Sequence, residues 1–234
     1  PRIQVTYPTK LGREIAQFGL PEDTPFSLKI LDLPGLKHVA DSQNANVINS
    51  YCQRALSLVT YNAAETDLHK QESLLKQVVA QVKEIGGTPA RMMFILNRFD
   101  VYENDSNPEE SKLRAYEMIQ RKIREVLARD LPEYREAAEK ITPQRLATKP
   151  ALLIERGDLK DIERYFNYLI DEDVLDELPR KIEKWSDADR AAFSESVLRG
   201  CYVEEFRETL RNHVSEHLPQ ILFPSPINDL KEKG

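Results

Sequence analysis

Cysteine is scarce in this sequence, where Cys52 and Cys201 stand far apart and form no Cys-x-x-Cys pair. That scarcity excludes a disulfide-rich secreted scaffold and indicates a reducing, cytoplasmic setting. Long apolar runs are missing as well, since no stretch approaches the roughly 18 consecutive apolar residues that a membrane-spanning helix needs. The first residues also lack the basic segment and following apolar run of a secretory signal.

An excess of positive charge is also absent. The 234 residues carry a formal net charge of -6, and the basic and acidic residues are mixed along the chain. A nucleic-acid binder usually concentrates Lys and Arg in a stripe or patch. We therefore expect no nucleic-acid partner. At this length, one large domain with a helical appendage has room to bury a substantial core.

Short runs of aliphatic and β-branched residues alternate with longer helical patterns, which is typical of an α/β fold with a parallel sheet. The three clearest runs are residues 26–31, 55–61 and 92–96. Residues 3–7 alternate apolar and polar side chains, so we expect them to pair antiparallel with residues 26–31 at the sheet edge. Residues 140–146 form a weaker last strand, in which Pro143 favours an edge or a strand end.

Helical spacing of apolar residues predicts helices over residues 42–53, 66–85 and 108–128. The second of these is expected to stop at Gly86 and Gly87. The predicted apolar face of the third consists of Leu113, Ile119, Ile123 and Val126. From residue 158 to residue 221 the pattern is again helical, with a break around Pro179 and Trp185.

The first motif with chemical content is Asp32-Leu-Pro-Gly35, at the end of a buried strand pattern. A carboxylate at the carboxyl end of a strand in an α/β sheet stands where ligands bind. Asp32 can hold Mg²⁺ through water, because Mg²⁺ keeps much of its hydration. Gly35 lets its backbone N–H approach a terminal phosphate closely. Asp-x-x-Gly alone is common, and a tight turn after a strand is the alternative interpretation.

The second motif is Asn97-Arg-Phe-Asp100, again at the end of a buried strand pattern. In GTP-binding proteins an Asn at this place supports the base-binding loop, and the Asp accepts hydrogen bonds from N1 and the exocyclic amine of guanine. Adenine cannot supply that pair of donors, so a buried acceptor would reject it. Arg98 stands where Lys is usual, and its aliphatic stem and flat guanidinium can lie against the base.

Together these motifs resemble the dynamin-like GTPases. In that family three features follow in a fixed order. They are Asp-Leu-Pro-Gly, then a strand that runs into a stretch of small and acidic residues, as in residues 55–67, and then Asn-x-x-Asp. The resemblance covers about residues 1–168. It implies a P-loop-NTPase-like, mostly parallel sheet flanked by helices over residues 1–170, a partial GTP-binding domain. Residues 171–234 would then be a helical extension or the start of a helical bundle.

The resemblance also implies an activity, a cofactor and partners. The parent domain would bind GTP and GDP and hydrolyse GTP with Mg²⁺. Asp32 would hold the water shell of the metal and Gly35 would contact the γ-phosphate, while Asn97, Arg98 and Asp100 would select guanine. A homodimer across the nucleotide face and membrane association of the intact protein are implied by the family alone.

The sequence departs from the family at the phosphate end of the site. It contains no Gly-x-x-x-x-Gly-Lys-Ser/Thr, the loop that cradles the phosphates, and Leu36 replaces a Gln after Gly35. Residues 1–5 resemble the strand after the family's first switch loop. We therefore expect the phosphate loop and the switch threonine to lie upstream of Pro1. On this interpretation the chain holds no catalytic residue and binds nucleotide weakly or not at all.

Two alternatives stay open at this point. Ala147 and Thr148 resemble the Ser-Ala-Lys loop of the family, whose backbone contacts the guanine oxygen, but residues 143–146 are a competing alignment. For the chain as a whole, the second hypothesis is a GTPase-like interaction module that binds no nucleotide and works through protein contacts.

The last predicted helix carries two further patterns. His213 and His217 are four residues apart, and we expect solvated helix surface there, with a shared metal ion as the alternative. An apolar face is expected to pack against the body or a neighbouring helix rather than a membrane, because its polar side has few basic residues. This face consists of Val203, Phe206, Leu210, Val214 and Leu218.

Overall fold

The computed structural model of this chain describes residues 4–5, 30–31, 56–65, 88–157, 170 and 172–222, with scattered positions between 69 and 80. The described strands are β1 (Gln4–Val5), β2 (Ile30–Leu31), β3 (Ser57–Asn62), β4 (Met92–Asn97) and β5 (Gln144–Leu146). The described α-helices are α1 (Pro108–Asp130), α2 (Arg135–Glu139), α3 (Thr148–Glu155), α4 (Glu172–Glu177), α5 (Asp187–Gly200) and α6 (Val203–Leu222). The fold is mixed α/β.

Strands β3, β4 and β5 form a parallel sheet with β4 in the middle. Their register places Asn62, Asn97 and Leu146 side by side at the carboxyl ends. Four consecutive residues of β4 are buried, as expected of a strand covered on both faces. β5 begins directly after Pro143, which has no N–H to donate to a neighbouring strand. The parallel arrangement predicted from residues 55–61, 92–96 and 140–146 is confirmed.

Strands β1 and β2 pair antiparallel, which confirms the pairing predicted between residues 3–7 and 26–31 for the two residues of each that are described. Their predicted place at the edge of the parallel sheet stays a prediction. Within the described residues this pair is a sheet of its own. The helix predicted over residues 42–53 lies outside the described residues. Of the helix predicted over residues 66–85, the positions that are described are helical.

Helix α1 confirms the helix predicted over residues 108–128 but not all of its apolar face. The prediction for Leu113 was wrong, because this side chain is 58% exposed whereas Ile119 and Ile123 are buried. At 3.6 residues per turn, Leu113 lies about 120° away from Ile119 around the helix axis. Ala115 takes its place on the buried stripe.

Alternate side chains of β4 enter two separate apolar clusters, because successive residues of a strand point to opposite faces. Phe94 and Leu96 lie in the first cluster, with apolar residues of β3 and α1. Ile95 lies in the second cluster, with apolar residues of α3 and α5. Helices therefore cover both faces of the sheet.

The break predicted around Pro179 and Trp185 is confirmed, since this stretch separates α4 from α5. Trp185 is buried, and its Nε1–H donates to the carbonyl of Pro179 at 2.7 Å. Ser186 then caps α5 through reciprocal hydrogen bonds with Asp189. The capping box gives α5 a defined start directly after the indole anchor.

A second break, which the sequence pattern does not predict, separates α5 from α6 at Cys201 and Tyr202. Tyr202 has a φ of 61°, in the left-handed region that residues other than glycine rarely adopt. Beyond it, Val203 and Val214 are buried and Phe206 packs on the second cluster, which confirms that the apolar face of α6 contacts the body. The division of the chain at residue 170 stays a prediction.

None of the helices in the described ranges combines the length and the apolar character that crossing a membrane requires.

The two faces of α1 predict different responses to truncation. Ile123→Ala removes a fully buried side chain from the first cluster and should lower the free energy of unfolding by about 2–5 kcal/mol. Leu113→Ala, on the exposed side of the same helix, should change it by no more than about 0.5 kcal/mol. Urea denaturation measures both. Equal losses in the two variants would contradict the orientation of α1.

Candidate functional site

The carboxyl ends of β4 and β5 lie side by side and carry several of the predicted site residues. Asn97 is the last residue of β4 and pairs with Leu146, the last residue of β5. Residues 98–100 and 147–149 therefore leave the sheet at the same edge. Ligands of parallel α/β sheets bind in crevices at this edge.

The side-chain oxygen of Asn97 ties these two segments together. It accepts hydrogen bonds from the N–H of Arg98 at 2.8 Å, from the hydroxyl of Thr148 at 2.7 Å and from the N–H of Thr148 at 3.3 Å. Its backbone carbonyl accepts a hydrogen bond from the N–H of Ala63, just after β3, at 2.8 Å. One residue thus holds the ends of three strands in a fixed mutual position.

Two alignments were left open for the loop that resembles the Ser-Ala-Lys loop, and they occupy different places in the structure. Residues 144–146 form β5 itself, whereas Ala147 and Thr148 follow the strand and Thr148 begins α3. Ala147 is fully buried, and its N–H donates to the carbonyl of Cys201 at 3.1 Å. A ligand at this edge would therefore meet Thr148, which is exposed, rather than Ala147.

Arg98 turns the chain away from the sheet. Its φ of 63° is left-handed, which costs free energy in a residue other than glycine. After this turn the 3₁₀ helix Phe99–Asn104 begins and carries Asp100 near its start. The side chain of Arg98 is exposed, and Asp100 follows it two positions later in the chain.

A cluster of three aromatic side chains anchors this 3₁₀ helix. Phe99 is fully buried and makes edge-to-face contacts with Tyr102 and Tyr202, at ring-centroid distances of 5.5 Å and 5.8 Å. Tyr102 donates its hydroxyl to the carbonyl of Ala63 at 2.6 Å. The same helix therefore contacts the loop after β3 and the turn between α5 and α6.

Asp100 has the most perturbed environment of the predicted base-reading residues. It is half-buried, and this burial raises the pKa of its carboxyl, while a hydrogen bond with its own backbone and the positive charges of Arg98 and Lys149 act in the opposite direction. A poorly solvated carboxylate is a hydrogen-bond acceptor with few water partners. Groups of this kind concentrate at binding sites.

An ion pair that the sequence analysis missed fastens the 3₁₀ helix to α1. Lys112 Nζ lies 2.7 Å from the carboxylate of Glu103 and 2.8 Å from that of Glu109. The side chains of Lys112 and Glu103 are only 11% and 8% exposed, and burial raises the pKa of Glu103. Lys112 precedes Ile119 by two helical turns, so it lies on the buried stripe of α1. A charged residue at such a position signals a buried partner.

The remaining predicted site residues divide into two groups. Asp32 and Gly35 lie outside the described residues, so the magnesium and phosphate roles stay predictions. Among the residues that the structure describes, no three His, Cys, Asp or Glu side chains cluster as metal ligands would. The expected solvation of the pair on α6 was wrong, because His217 is 6% exposed and His213 is half-buried.

We compared this chain with protein-family models, with curated proteins and with solved structures, and nothing in these three comparisons matches it.

The hydrogen bonds from Arg98 and Thr148 to the side-chain oxygen of Asn97 form a junction between the two loops. This junction predicts the effect of an isosteric change at Thr148. Thr148→Val removes the hydroxyl that donates to Asn97 and should cost about 0.5–1.5 kcal/mol of unfolding free energy. The amides of Arg98 and Thr148 should also exchange hydrogen faster. The control Thr142→Val, which loses only an exposed 3.4 Å bond, should stay within about 0.5 kcal/mol. Unchanged exchange in Thr148→Val would contradict the junction.

Burial of Asp100 predicts a dependence of stability on pH. Its carboxyl has a higher pKa in the folded chain than in the unfolded chain, so the folded chain binds the proton more tightly. Stability is therefore lost as pH rises from the ordinary value of about 3.9 through the folded-state pKa. Asp100→Asn should be more stable than wild type at pH 7, and the difference should vanish as the pH approaches 3.

Chemical denaturation at several pH values measures this difference. The matched control is Asp105→Asn, in which an exposed carboxylate is replaced. A variant Asp100→Asn that is less stable than wild type at pH 7 would contradict the assigned cost of burial.

Proposed function

We propose that this chain carries the guanine-reading part of a GTP-binding domain, in a dynamin-like protein that hydrolyses GTP with Mg²⁺. The observation that carries the proposal is the junction at Asn97, whose side-chain oxygen accepts hydrogen bonds from the hydroxyl and the N–H of Thr148. These residues are 51 positions apart and come from the two segments that resemble base-contacting loops. Their meeting at one sheet edge supports a common role.

Asp100 supplies the selectivity in this proposal. A carboxylate offers two acceptor oxygens, which match the N1–H and the exocyclic amine of guanine. Adenine presents no such pair of donors and would leave the half-buried carboxylate without partners, at a cost of about 1–3 kcal/mol. Asn97 holds the loop in place, and the exposed stem and guanidinium of Arg98 lie against the base.

One part of a complete phosphate-binding site is missing from this sequence. The sequence has no Gly-x-x-x-x-Gly-Lys-Ser/Thr, the loop whose amides and Lys hold the phosphates. The proposal therefore gives this chain base recognition and only weak nucleotide affinity. It assigns Asp32 to water-mediated Mg²⁺ binding and Gly35 to the γ-phosphate. Homodimerisation across the nucleotide face and membrane association belong to the same proposal by family resemblance.

A second candidate function is a GTPase-like interaction module that binds no nucleotide. Two observations favour it: the phosphate-binding motif is absent from the sequence, and the N–H of Ala147 is already bonded to the carbonyl of Cys201. Binding of guanine without phosphates separates the two functions.

The separating experiment is a titration of the ¹⁵N-labelled chain with GMP, with AMP as the matched control. We expect millimolar GMP to shift the backbone amide signals of Arg98, Asp100 and Thr148, and AMP to leave them unchanged. If neither nucleotide shifts these signals, the interaction module replaces the first proposal.

Replacing the selective carboxylate predicts a change of base preference. Asp100→Asn exchanges one acceptor for a donor, which fits the N1–H and the C2 carbonyl of xanthine instead of guanine. The ratio of XMP to GMP affinity should rise at least about tenfold, which corresponds to about 1.4 kcal/mol. Asp105→Asn should keep the wild-type preference. An unchanged ratio in Asp100→Asn would remove Asp100 from the base-binding role.

A further inference from the structure

Two backbone turns of the same unusual kind meet at Phe99. Among the described residues, Arg98 and Tyr202 are the two non-glycine residues with a positive φ, at 63° and 61°. Arg98 directly precedes Phe99, and the ring of Tyr202 contacts Phe99 edge-to-face at a centroid distance of 5.8 Å. Left-handed residues other than glycine persist only where surrounding contacts hold them, and they concentrate at functional sites. The contact between these two turns therefore suggests a shared role.

The side chain of Tyr202 explains why its backbone stays in this conformation. Glycine would adopt the same φ without cost, but it has no ring to place against Phe99. The ring of Tyr202 packs on the first apolar cluster, and the guanidinium of Arg145 lies 4.3 Å from its centroid. Contacts of the ring thus offset the strain of the turn, and in return the turn fixes the position of the ring.

The position of Phe99 sets the direction of Asp100. A 3₁₀ helix has three residues per turn, so Phe99 and Tyr102 lie on one side and Asp100 lies about a third of a turn away. Tyr102 belongs to the same 3₁₀ helix and moves with it, whereas Tyr202 lies on a different element. The contact with Tyr202 therefore resists a rotation of this helix that would turn Asp100 away.

The turn that carries Tyr202 also lies near Asp100 itself. The negative charge of Asp100 contributes to the raised pKa of the Cys201 thiol, so the two groups are within electrostatic range. Because Cys201 is fully buried, the turn lies on the interior side of Asp100. The other charged groups that interact with this carboxylate are Arg98, Lys149 and Glu103.

We propose that Tyr202 is a positioning residue of the base site: its ring holds Phe99, and through Phe99 it fixes Asp100 in the orientation that selects guanine. The selectivity rests on the proposed function, whereas the positioning of Asp100 does not. Since the ring makes the contacts, phenylalanine at position 202 should suffice.

The first test measures the carboxyl of Asp100 without nucleotide. Tyr202→Gly removes the ring and at the same time relieves the left-handed strain. The ¹³C signal of the Asp100 carboxyl should then titrate at a lower pKa, closer to the ordinary value of about 3.9, because the carboxylate turns toward water. Tyr202→Phe should titrate as wild type does.

The matched control is Tyr134→Gly, which removes another half-buried tyrosine from the first cluster. It should leave the pKa of Asp100 unchanged, although it relieves no left-handed strain and therefore costs more stability. A folded Tyr202→Gly in which the pKa of Asp100 equals that of wild type would overturn the proposal.

The second test compares GMP with AMP. The ratio of GMP to AMP affinity should fall about two- to tenfold in Tyr202→Gly, as expected for the loss of one edge-to-face contact, and should recover in Tyr202→Phe. A selective wild type with an equally selective Tyr202→Gly would refute the role of Tyr202. If the pKa of Asp100 shifts but wild type does not distinguish GMP from AMP, the guanine function fails and the positioning of Asp100 stands.

A measurement on wild type decides the question if Tyr202→Gly does not fold. The ring signals of Tyr202 and Phe99 should shift as Asp100 titrates, and this component of the titration should be absent from Asp100→Asn. Ring signals that titrate identically in wild type and Asp100→Asn would show that Asp100 and Tyr202 are uncoupled, and the proposal would be wrong.

Discussion

Three hydrogen bonds converge on the side-chain oxygen of Asn97, and the geometry of the strand ends depends on them. Loops after parallel strands vary readily in conformation, because few contacts restrain them. Here the loops after β4 and β5 share one acceptor, and the loop after β3 is bonded to the backbone of the same residue. An amide side chain suits this role because its oxygen accepts several donors without carrying charge.

The segment that follows Asn97 contains two features that cost stability. The left-handed Arg98 costs about 1–3 kcal/mol, and half-buried Asp100 is partly desolvated. Burial of Phe99 contributes about 1.5–3 kcal/mol, and each of its two aromatic contacts adds about 0.5–1.5 kcal/mol. Apolar anchoring thus offsets the strained turn and keeps a poorly solvated carboxylate in a defined position, as a binding site requires.

The turn between α5 and α6 supports the same site through both apolar clusters, because Cys201 belongs to the second cluster and Tyr202 packs against the first. The carbonyl of Cys201 accepts the N–H of Ala147, and the ring of Tyr202 contacts Phe99. The guanidinium of Arg145 lies 4.3 Å from the centroid of the Tyr202 ring. Burial raises the pKa of the Cys201 thiol to about 12, so this cysteine is an inert packing group rather than a nucleophile. The C-terminal helices therefore help to position both loops.

The sequence by itself determined the approximate positions of the three parallel strands, the helix over α1, the break near Trp185 and the candidate base-reading motifs. Those features depend on local periodicity and short motifs, which involve residues close together in sequence. Only the tertiary structure decided that Thr148 bonds Asn97, that Lys112 reaches Glu103, and that the chain turns at Tyr202. The first two are contacts between residues that are distant in sequence. The third is a backbone conformation that a tyrosine rarely adopts. No period or spacing encodes such partners, because they form only when the sheet brings the strand ends together.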